Sequence, residues 1–281
     1  MREIDAKSVT ETLSRLLQDA CYRLSDDVIA ALGQAYEKEE SPASRQVLAK
    51  LRENAEIAVR DEVPLCQDTG MAVVFLELGQ DAHIVGGDLN EAVQEGTRRA
   101  YAEGYLRKSV VERPFSARTN TRDNTPAVIH TTVVPGEKLK ITALSKGFGS
   151  ENMSRLAMLP PAKGRRGVID FVVRCVEEAG ANPCPPVIVG VGIGGTAEKC
   201  MLLAKKALLR SVGDPHSDPE VAELETEILK RVNELGIGAM GYGGRITALA
   251  VQVEIFPTHI ASLPVAVNLQ CHSVRHREAI L

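Results

Sequence analysis

The sequence lacks several features that would point to common classes of partner. Its 281 residues include no tryptophan, and aromatic residues make up 4% of the chain, which leaves few side chains on which nucleic-acid bases could stack. The net charge of −4 gives no basic surface of the kind that binds phosphate backbones. The longest apolar stretch, residues 187–196, is too short and too rich in glycine to span a bilayer. We therefore expect neither nucleic acid nor a membrane as a partner.

The chain also lacks the signs of a secreted, disulfide-bonded protein. Residues 1–5 contain no apolar targeting run, and the six cysteines include no CxxC pair. A disulfide framework is not expected in a chain of this size without a signal sequence. We expect a cytoplasmic protein whose cysteines are free thiols or metal ligands. The length allows one large domain or two small ones.

Apolar periodicity predicts helices in the first sixty residues and mixed structure thereafter. The pattern indicates an N-terminal helical subdomain over residues 1–62, then an α/β region over residues 63–281, with one continuous domain as the alternative. Strands are predicted at 71–78, 127–134, 138–144, 245–256 and 265–268, and residues 187–196 are predicted to form a strand that runs into a glycine loop. Helices are predicted at 88–104, 166–178, 197–210 and 220–235. The fold class is mixed α/β (α+β), a helical subdomain followed by a mixed sheet with flanking helices. Pro135-Gly136 predicts a hairpin between the second and third strands.

Three of the six cysteines lie where the sequence predicts a packed helix. Cys21 and Cys175 fall on apolar helical stripes, and Cys200 lies in the helix after Thr196. A free cysteine in such a position behaves as a small hydrophobic residue. We expect these three to be core residues.

The other three cysteines, Cys66, Cys184 and Cys271, lie in predicted loops beside proline, asparagine or glutamine, and none fits an apolar period. They are either three unrelated buried thiols or metal ligands. A structural zinc site usually takes ligands in close pairs, and here only His272 could be a fourth ligand. A [4Fe–4S] cluster suits thiolates. Three thiolates would leave one iron able to act as a Lewis acid on a hydroxyl or carboxylate.

A GxGxxG pattern over residues 190–195 follows a predicted strand and precedes a helix. A dinucleotide fold also needs a second parallel strand that ends in an acidic residue, and here another helix follows instead. We interpret the glycines as a tight strand-to-helix turn. Free N–H groups of that turn could hold an anion such as a substrate carboxylate.

Five motifs together carry a resemblance to a known family. They are Pro64-Leu65-Cys66-Gln67-Asp68-Thr69-Gly70, Asn124-Thr125-Pro126-Ala127, Lys146-Gly147-Phe148-Gly149-Ser150, Asn182-Pro183-Cys184 and Asn268-Leu269-Gln270-Cys271. This set resembles the iron–sulfur (class I) fumarate hydratase family, in the two-subunit form, where this chain would be the alpha subunit. L-tartrate dehydratase alpha subunits share the pattern.

The resemblance implies three kinds of site residue. The ligands of a [4Fe–4S] cluster, whose fourth iron binds the substrate, would be Cys66, Cys184 and Cys271. A small dicarboxylate substrate would be held by Gln67, Arg107, Gly149 and His259. The carboxylate placed for proton transfer near the departing hydroxyl would be Asp68.

The resemblance also implies a partner. This chain ends at Leu281, shortly after Cys271, whereas a second domain completes the site in single-chain members. We expect that domain as a beta subunit, with two alpha and two beta chains. The implied activity is the reversible hydration of fumarate to L-malate. The alternatives are tartrate dehydration to oxaloacetate, a non-enzymatic metal-bearing scaffold subunit and, on the GxGxxG pattern alone, a nicotinamide oxidoreductase.

Overall fold

The computed structural model describes residues 2–281, which contacts divide into two units, each made of stretches that are separate in sequence. Residues 2–24, 55–148 and 275–281 form the first unit. Its elements are β1 (Arg2–Asp5), α1 (Ala6–Tyr22), β2 (Met71–Gly79), β3 (Ala82–Val85), α4 (Leu89–Glu103), β4 (Val128–Val134), β5 (Leu139–Lys146) and β10 (His276–Ile280). A four-stranded mixed sheet has the order β10-β5-β2-β4, and β1 pairs in parallel with β3.

The core of the first unit forms where α1 packs on α4 and on one face of the sheet. Asp5 caps α1, because its carboxylate accepts a hydrogen bond from the Lys7 backbone N–H at 2.8 Å. The apolar stripe of α1 is fully buried, with Val9, Leu13 and Leu17 at 0% exposure. This burial of aliphatic side chains, rather than helix propensity, supplies most of the stability of α1.

The predicted hairpin between the second and third strands is wrong. Both β4 and β5 pair with β2, β4 in parallel and β5 antiparallel, so that β2 lies between them. The end of β2 sits inside the turn at 135–138, where the Gly79 N–H donates to Lys138 and the Asp81 N–H donates to Gly136. A Cβ atom on Gly79 would lie 2.5 Å from the Gly136 carbonyl oxygen. Glycine at this position lets the turn wrap around β2.

The second unit comprises residues 25–54 and 149–274. Its elements are α2 (Asp26–Lys38), β6 (Arg155–Leu159), α6 (Gly164–Ala179), β7 (Val187–Gly194), α7 (Ala197–Ala207), α8 (Pro219–Asn233), β8 (Ala248–Phe256) and β9 (Leu263–Gln270). The sheet order is β6-β9-β7-β8, with β7 parallel to β8 and antiparallel to β9. Two helices, α3 (Pro42–Asp61) and α5 (Phe148–Glu151), contribute residues to both units.

The mixed α/β fold class is confirmed, and within residues 2–281 the strands form two four-stranded mixed sheets and one two-stranded pair. Helix α1 belongs to the first unit and α2 to the second. A separate helical subdomain over residues 1–62, with the cluster-binding region at 63–281, stays a prediction. Among residues 2–281, no helix has both the length and the apolar character needed to cross a membrane.

The glycines of the GxGxxG pattern allow a helix to lie directly on a strand. A Cβ atom on Gly190 would be 2.2 Å from the Ala204 carbonyl oxygen, and one on Gly192 would be 2.1 Å from that of Cys200. The nearest atom in each case belongs to the backbone of α7, so a side chain at either position would prevent this close approach of α7 to β7. Close packing of α7 on β7 is thus sufficient to explain the two glycines.

The three cysteines predicted to be core residues are buried, which confirms that part of the sequence analysis. Cys21 and Cys200 are at 0% exposure and Cys175 at 4%. Burial raises the pKa of Cys175 to about 12 and that of Cys200 to about 11. These thiols remain protonated at neutral pH, so they are poor nucleophiles and poor metal ligands.

We predict that Gly192→Ala destabilises the protein by about 1–3 kcal/mol, because the added methyl group forces α7 away from β7. Gly33→Ala is the matched control in the same unit, since Gly33 lies in α2 with nothing within 4 Å of an added Cβ. The control should be stabilised by about 0.5–1 kcal/mol through helix propensity. Urea denaturation measures both; equal effects of the two substitutions would contradict the packing argument.

Candidate active site

The loop that precedes β2 brings a thiol, an amide and a carboxylate together at the surface of the first unit. Cys66 is half-buried, and its thiol lies 3.4 Å from the side-chain oxygen of Gln67. The backbone N–H of Asp68 donates to the Cys66 sulfur at 3.4 Å. The loop therefore exposes Gln67 while its own backbone polarises the neighbouring sulfur.

Two backbone N–H groups fix the orientation of the Asp68 carboxylate. Oδ1 accepts from the Gly70 N–H at 2.9 Å, and Oδ2 accepts from the Phe148 N–H at 2.8 Å. Each carboxylate oxygen has a further lone pair. The carboxylate is thus held in one orientation and keeps the capacity to accept further hydrogen bonds.

A buried arginine supports the same loop, and sequence reasoning missed it. Arg275 has 1% exposure, and its Nη1 donates to the Asp68 carbonyl oxygen. A Cβ atom on Gly147 would lie 2.6 Å from Arg275 Nη2 and 3.4 Å from Asp68 Oδ2. Glycine at 147 therefore lets the guanidinium approach the loop. Arginine is usually exposed, so a single sequence does not indicate that Arg275 is buried. The one signal for its role is its position four residues after Cys271.

Buried hydroxyl groups hold the end of the loop. Tyr101, at 0% exposure, donates to the Thr69 carbonyl at 2.8 Å, and Ser145 donates to the same oxygen. Burial raises the pKa of Tyr101 well above its ordinary value, so its hydroxyl stays a donor. The loop that carries Cys66 is therefore anchored to the sheet and to α4.

The first unit also brings the Arg107 loop to the Asp68 loop. The Thr69 hydroxyl donates to the Arg107 carbonyl at 3.0 Å. Asn124, at 0% exposure, accepts from the Ser109 N–H at 2.6 Å and donates to the Gly70 carbonyl at 3.2 Å. The Arg107 side chain itself is exposed. Four predicted site residues of this unit, Cys66, Gln67, Asp68 and Arg107, thus lie on two connected loops.

In the second unit, the Cys184 and Cys271 loops are neighbours. Nδ1 of His272 lies 3.0 Å from the Cys184 carbonyl oxygen, and the ring nitrogen must be the donor because a carbonyl only accepts. His272 follows Cys271, which comes directly after β9 and whose sulfur accepts from the Gln270 side-chain amide at 3.8 Å. Both cysteines are half-buried. The unit therefore places two of the three predicted ligand cysteines on adjacent loops.

Gly149 and His259 occupy different places in the second unit. A Cβ atom on Gly149 would lie 3.4 Å from the Asn182 carbonyl oxygen, so the exposed Gly149 segment borders the Cys184 loop. His259 is exposed between β8 and β9, and its Nδ1 accepts from the Ala261 N–H at 3.2 Å. The hydroxyl of Thr258 donates to the Gly195 carbonyl at 3.0 Å. These bonds fix the His259 loop beside the glycine turn after β7.

The chemistry of the three loop cysteines suits an iron–sulfur cluster. They are half-buried, whereas the three core cysteines are buried, and N–H groups already point at the sulfurs of Cys66 and Cys271. Hydrogen bonds of this kind tune cluster thiolates. Across residues 2–281, no three histidine, cysteine or carboxylate side chains form a group that could hold a metal ion. The ligand set therefore stays a prediction.

Comparisons with known proteins agree with the resemblance. A family model described as "Fumarate hydratase (Fumerase)" matches residues 10–280. A Methanocaldococcus jannaschii protein, named provisionally as L(+)-tartrate dehydratase subunit alpha, is 44% identical over 274 residues, 95% of each chain. The L(+)-tartrate dehydratase subunit alpha of Escherichia coli strain UTI89 is 31% identical over 97% of this chain and 90% of its own. The corresponding K12 subunit is 30% identical over the same shares.

The family model covers nearly the whole chain, and the relatives cover both units. The family assignment made from five short motifs is confirmed by these matches. The chain belongs to the fumarate hydratase (Fumerase) family.

Proposed function

We propose that this chain is the alpha subunit of an iron–sulfur hydro-lyase that reversibly removes water from a four-carbon hydroxy-dicarboxylate. One observation supports this most directly in a chain of the Fumerase family. The Asp68 carboxylate is held by two backbone N–H groups on the same short loop as Cys66 and Gln67. A proton-transfer group, a candidate metal ligand and a substrate amide thus come from consecutive residues.

The cofactor that we propose is a [4Fe–4S] cluster held by Cys66, Cys184 and Cys271. Support comes from the partial exposure of these thiols and from the N–H donors beside two of them. Such a cluster, when bound, supplies a Lewis acid that makes hydroxide a better leaving group.

Asp68 is the proposed proton-transfer residue. Hydroxide leaves more readily when an adjacent acid donates a proton to its oxygen. The N–H groups of Gly70 and Phe148 hold the carboxyl group in one orientation, so no reorientation is needed during that transfer. In the hydration direction, the Asp68 carboxylate accepts the proton from water.

The remaining residues are proposed to hold the dicarboxylate. The exposed guanidinium of Arg107 can bind one carboxylate with two parallel hydrogen bonds. Positive charge at this position also offsets the negative charge that develops when a proton leaves the adjacent carbon. Other polar groups can orient the rest of the substrate by donating or accepting hydrogen bonds. These groups are the Gln67 amide, the His259 ring and the Gly149 backbone.

A beta subunit is the proposed partner, in a complex of two alpha and two beta chains. The relatives named as tartrate dehydratase subunits alpha support a second kind of chain. We assign to it the base that removes the carbon-bound proton and further carboxylate contacts. The cytoplasmic location stays a prediction.

Two substrate pairs are compatible with this chemistry, and they differ by one hydroxyl group. The family description favours fumarate and L-malate. The names of the relatives favour L-tartrate and oxaloacetate. We keep fumarate hydration as the proposed activity and tartrate dehydration as the second candidate.

Alanine substitution of each loop cysteine should remove most of the bound iron and acid-labile sulfide, because a cubane needs all three thiolates. Cys175→Ala is the matched control, since the high pKa and burial of this thiol exclude it from ligation. Iron and sulfide are assayed after anaerobic purification. A wild-type chain that holds zinc and no sulfide would refute the cluster.

Asp68→Asn should lower kcat in the assembled complex by about 10²–10⁴-fold, the usual contribution of a general acid or base. The iron content should not change, because the side chain is not a proposed ligand. Asp88→Asn provides the control, since Asp88 caps α4 through the Glu91 N–H and asparagine caps equally well. If Asp68→Asn retained full turnover, the proton-transfer role would be withdrawn.

The chain alone should show little or no turnover, and co-expression with its beta subunit should restore it. Hydration of fumarate and dehydration of L-tartrate are measured in parallel on the same anaerobic preparation. Exposure to air should abolish the activity, because a substrate-accessible cluster is open to oxidation. A complex that contains the cluster but acts on neither pair would favour the scaffold alternative.

A further inference from the structure

We infer that Glu39 and Ser44, at the junction of α2 and α3, are positioning residues for the loop that carries Cys184. This inference rests on the proposed function, in which Cys184 is a cluster ligand. All of the contacts involved lie within the second unit.

The Glu39 carboxylate is buried, at 3% exposure, and it accepts four backbone hydrogen bonds. The Glu40 and Ser41 N–H groups donate to Oε1 at 2.9 Å each, the Arg245 N–H donates to Oε1 at 3.1 Å, and the Ile246 N–H donates to Oε2 at 3.1 Å. Burial by itself raises the pKa of Glu39, but the four N–H groups together outweigh it and hold the pKa below its ordinary value. The charged carboxylate thus joins the α2–α3 junction to the chain before β8.

Ser44 makes a second connection, to the glycine-rich segment of residues 236–244, which directly precedes Arg245. Its hydroxyl, at 0% exposure, donates to the Gly243 carbonyl and accepts from the Ala239 N–H at 3.1 Å. A Cβ atom on Gly244 would lie 2.7 Å from both carboxylate oxygens of Glu39. Because Gly244 has no side chain, its backbone can approach the Glu39 carboxylate closely.

The glycine-rich segment in turn contacts the turn that holds Cys184. The Met240 N–H donates to the Pro185 carbonyl at 2.7 Å. A Cβ atom on Gly241 would lie 2.6 Å from the Ala181 Cβ. Residues on both sides of Cys184 are therefore in contact with the segment that Glu39 and Ser44 hold.

Backbone conformation explains why such support is needed. Cys184 has a φ of 56° and Met240 has a φ of 52°, values that residues other than glycine seldom adopt. Such conformations cost free energy and persist only where the surrounding contacts enforce them. The Met240 N–H donates to Pro185, the residue that follows Cys184, so a change of backbone conformation at Met240 should be transmitted to Cys184. Glu39 thereby controls the direction in which Cys184 presents its sulfur.

The test compares Glu39→Gln with Glu40→Gln in the full chain, purified anaerobically. Glu40 is the adjacent residue of the same type, and its exposed side chain pairs with Arg245 at 2.9 Å. Hydrogen exchange is measured by mass spectrometry on peptides covering residues 181–187 and 236–246, with a β2 peptide as the internal reference. We expect about tenfold faster exchange at Cys184 and Met240 in Glu39→Gln, equivalent to about 1.4 kcal/mol, and no change in Glu40→Gln.

A second readout separates positioning from general stability. Iron release to a chelator should be about tenfold faster from Glu39→Gln than from Glu40→Gln. Unchanged exchange in Glu39→Gln overturns the inference, and so does faster exchange with unchanged iron release. A wild-type chain that contains neither iron nor sulfide overturns the proposed function instead. In that case Glu39 does not position a cluster ligand, and a difference in exchange rates would show only that Glu39 stabilises the Cys184 loop.

Ser44→Ala covers the case in which Glu39→Gln does not fold. It keeps the carboxylate and removes the two hydrogen bonds to Ala239 and Gly243. We expect the same direction of change in exchange at Met240 and Cys184. Wild-type exchange in a folded Ser44→Ala protein overturns the part assigned to Ser44.

Discussion

Hydrogen bonds from buried polar side chains to loop backbones are the constraint on which both candidate site regions depend. A loop has no repeating ladder of its own, so its backbone groups need other partners. In the first unit, Asn124 and Tyr101 supply them to the loop that carries Asp68. In the second unit, Ser44 supplies them to the glycine-rich segment beside Cys184, and Glu39 to the two residues that follow that segment. The helices and strands support the loops, and these few side chains determine where the reactive groups lie.

Glycine has a matching role in both units, because it permits the backbone to approach another group closely. Gly147 makes room for the Arg275 guanidinium beside Asp68, and Gly244 makes room for the Glu39 carboxylate. Gly190 and Gly192 do the same for α7 on β7. A glycine-rich sequence can therefore reflect packing as well as ligand binding. Here the packing role accounts for a pattern that otherwise resembles a dinucleotide motif.

The division of the cysteines illustrates how local environment separates structural from chemical roles. Cys175 and Cys200 are buried in apolar clusters, and this burial raises their pKa values and keeps the thiols protonated. Cys66 lies in the loop before β2, and Cys271 lies directly after β9. Both are half-buried, and an N–H group is directed at each sulfur. The same residue type therefore serves as a core residue in one setting and as a candidate ligand in the other. The apolar periodicity of the sequence was enough to separate these two sets.

The sequence by itself determined the mixed α/β class, most helices and strands, the core cysteines and the family, since these follow from local periodicity and short motifs. Tertiary structure alone decided that β2 lies between β4 and β5, because strand pairing depends on contacts distant in sequence. It also decided that Arg275 and Glu39 are buried. A buried charged side chain needs polar partners. At Arg275 and Glu39, backbone groups distant in sequence supply part of them, and one sequence does not specify which groups meet.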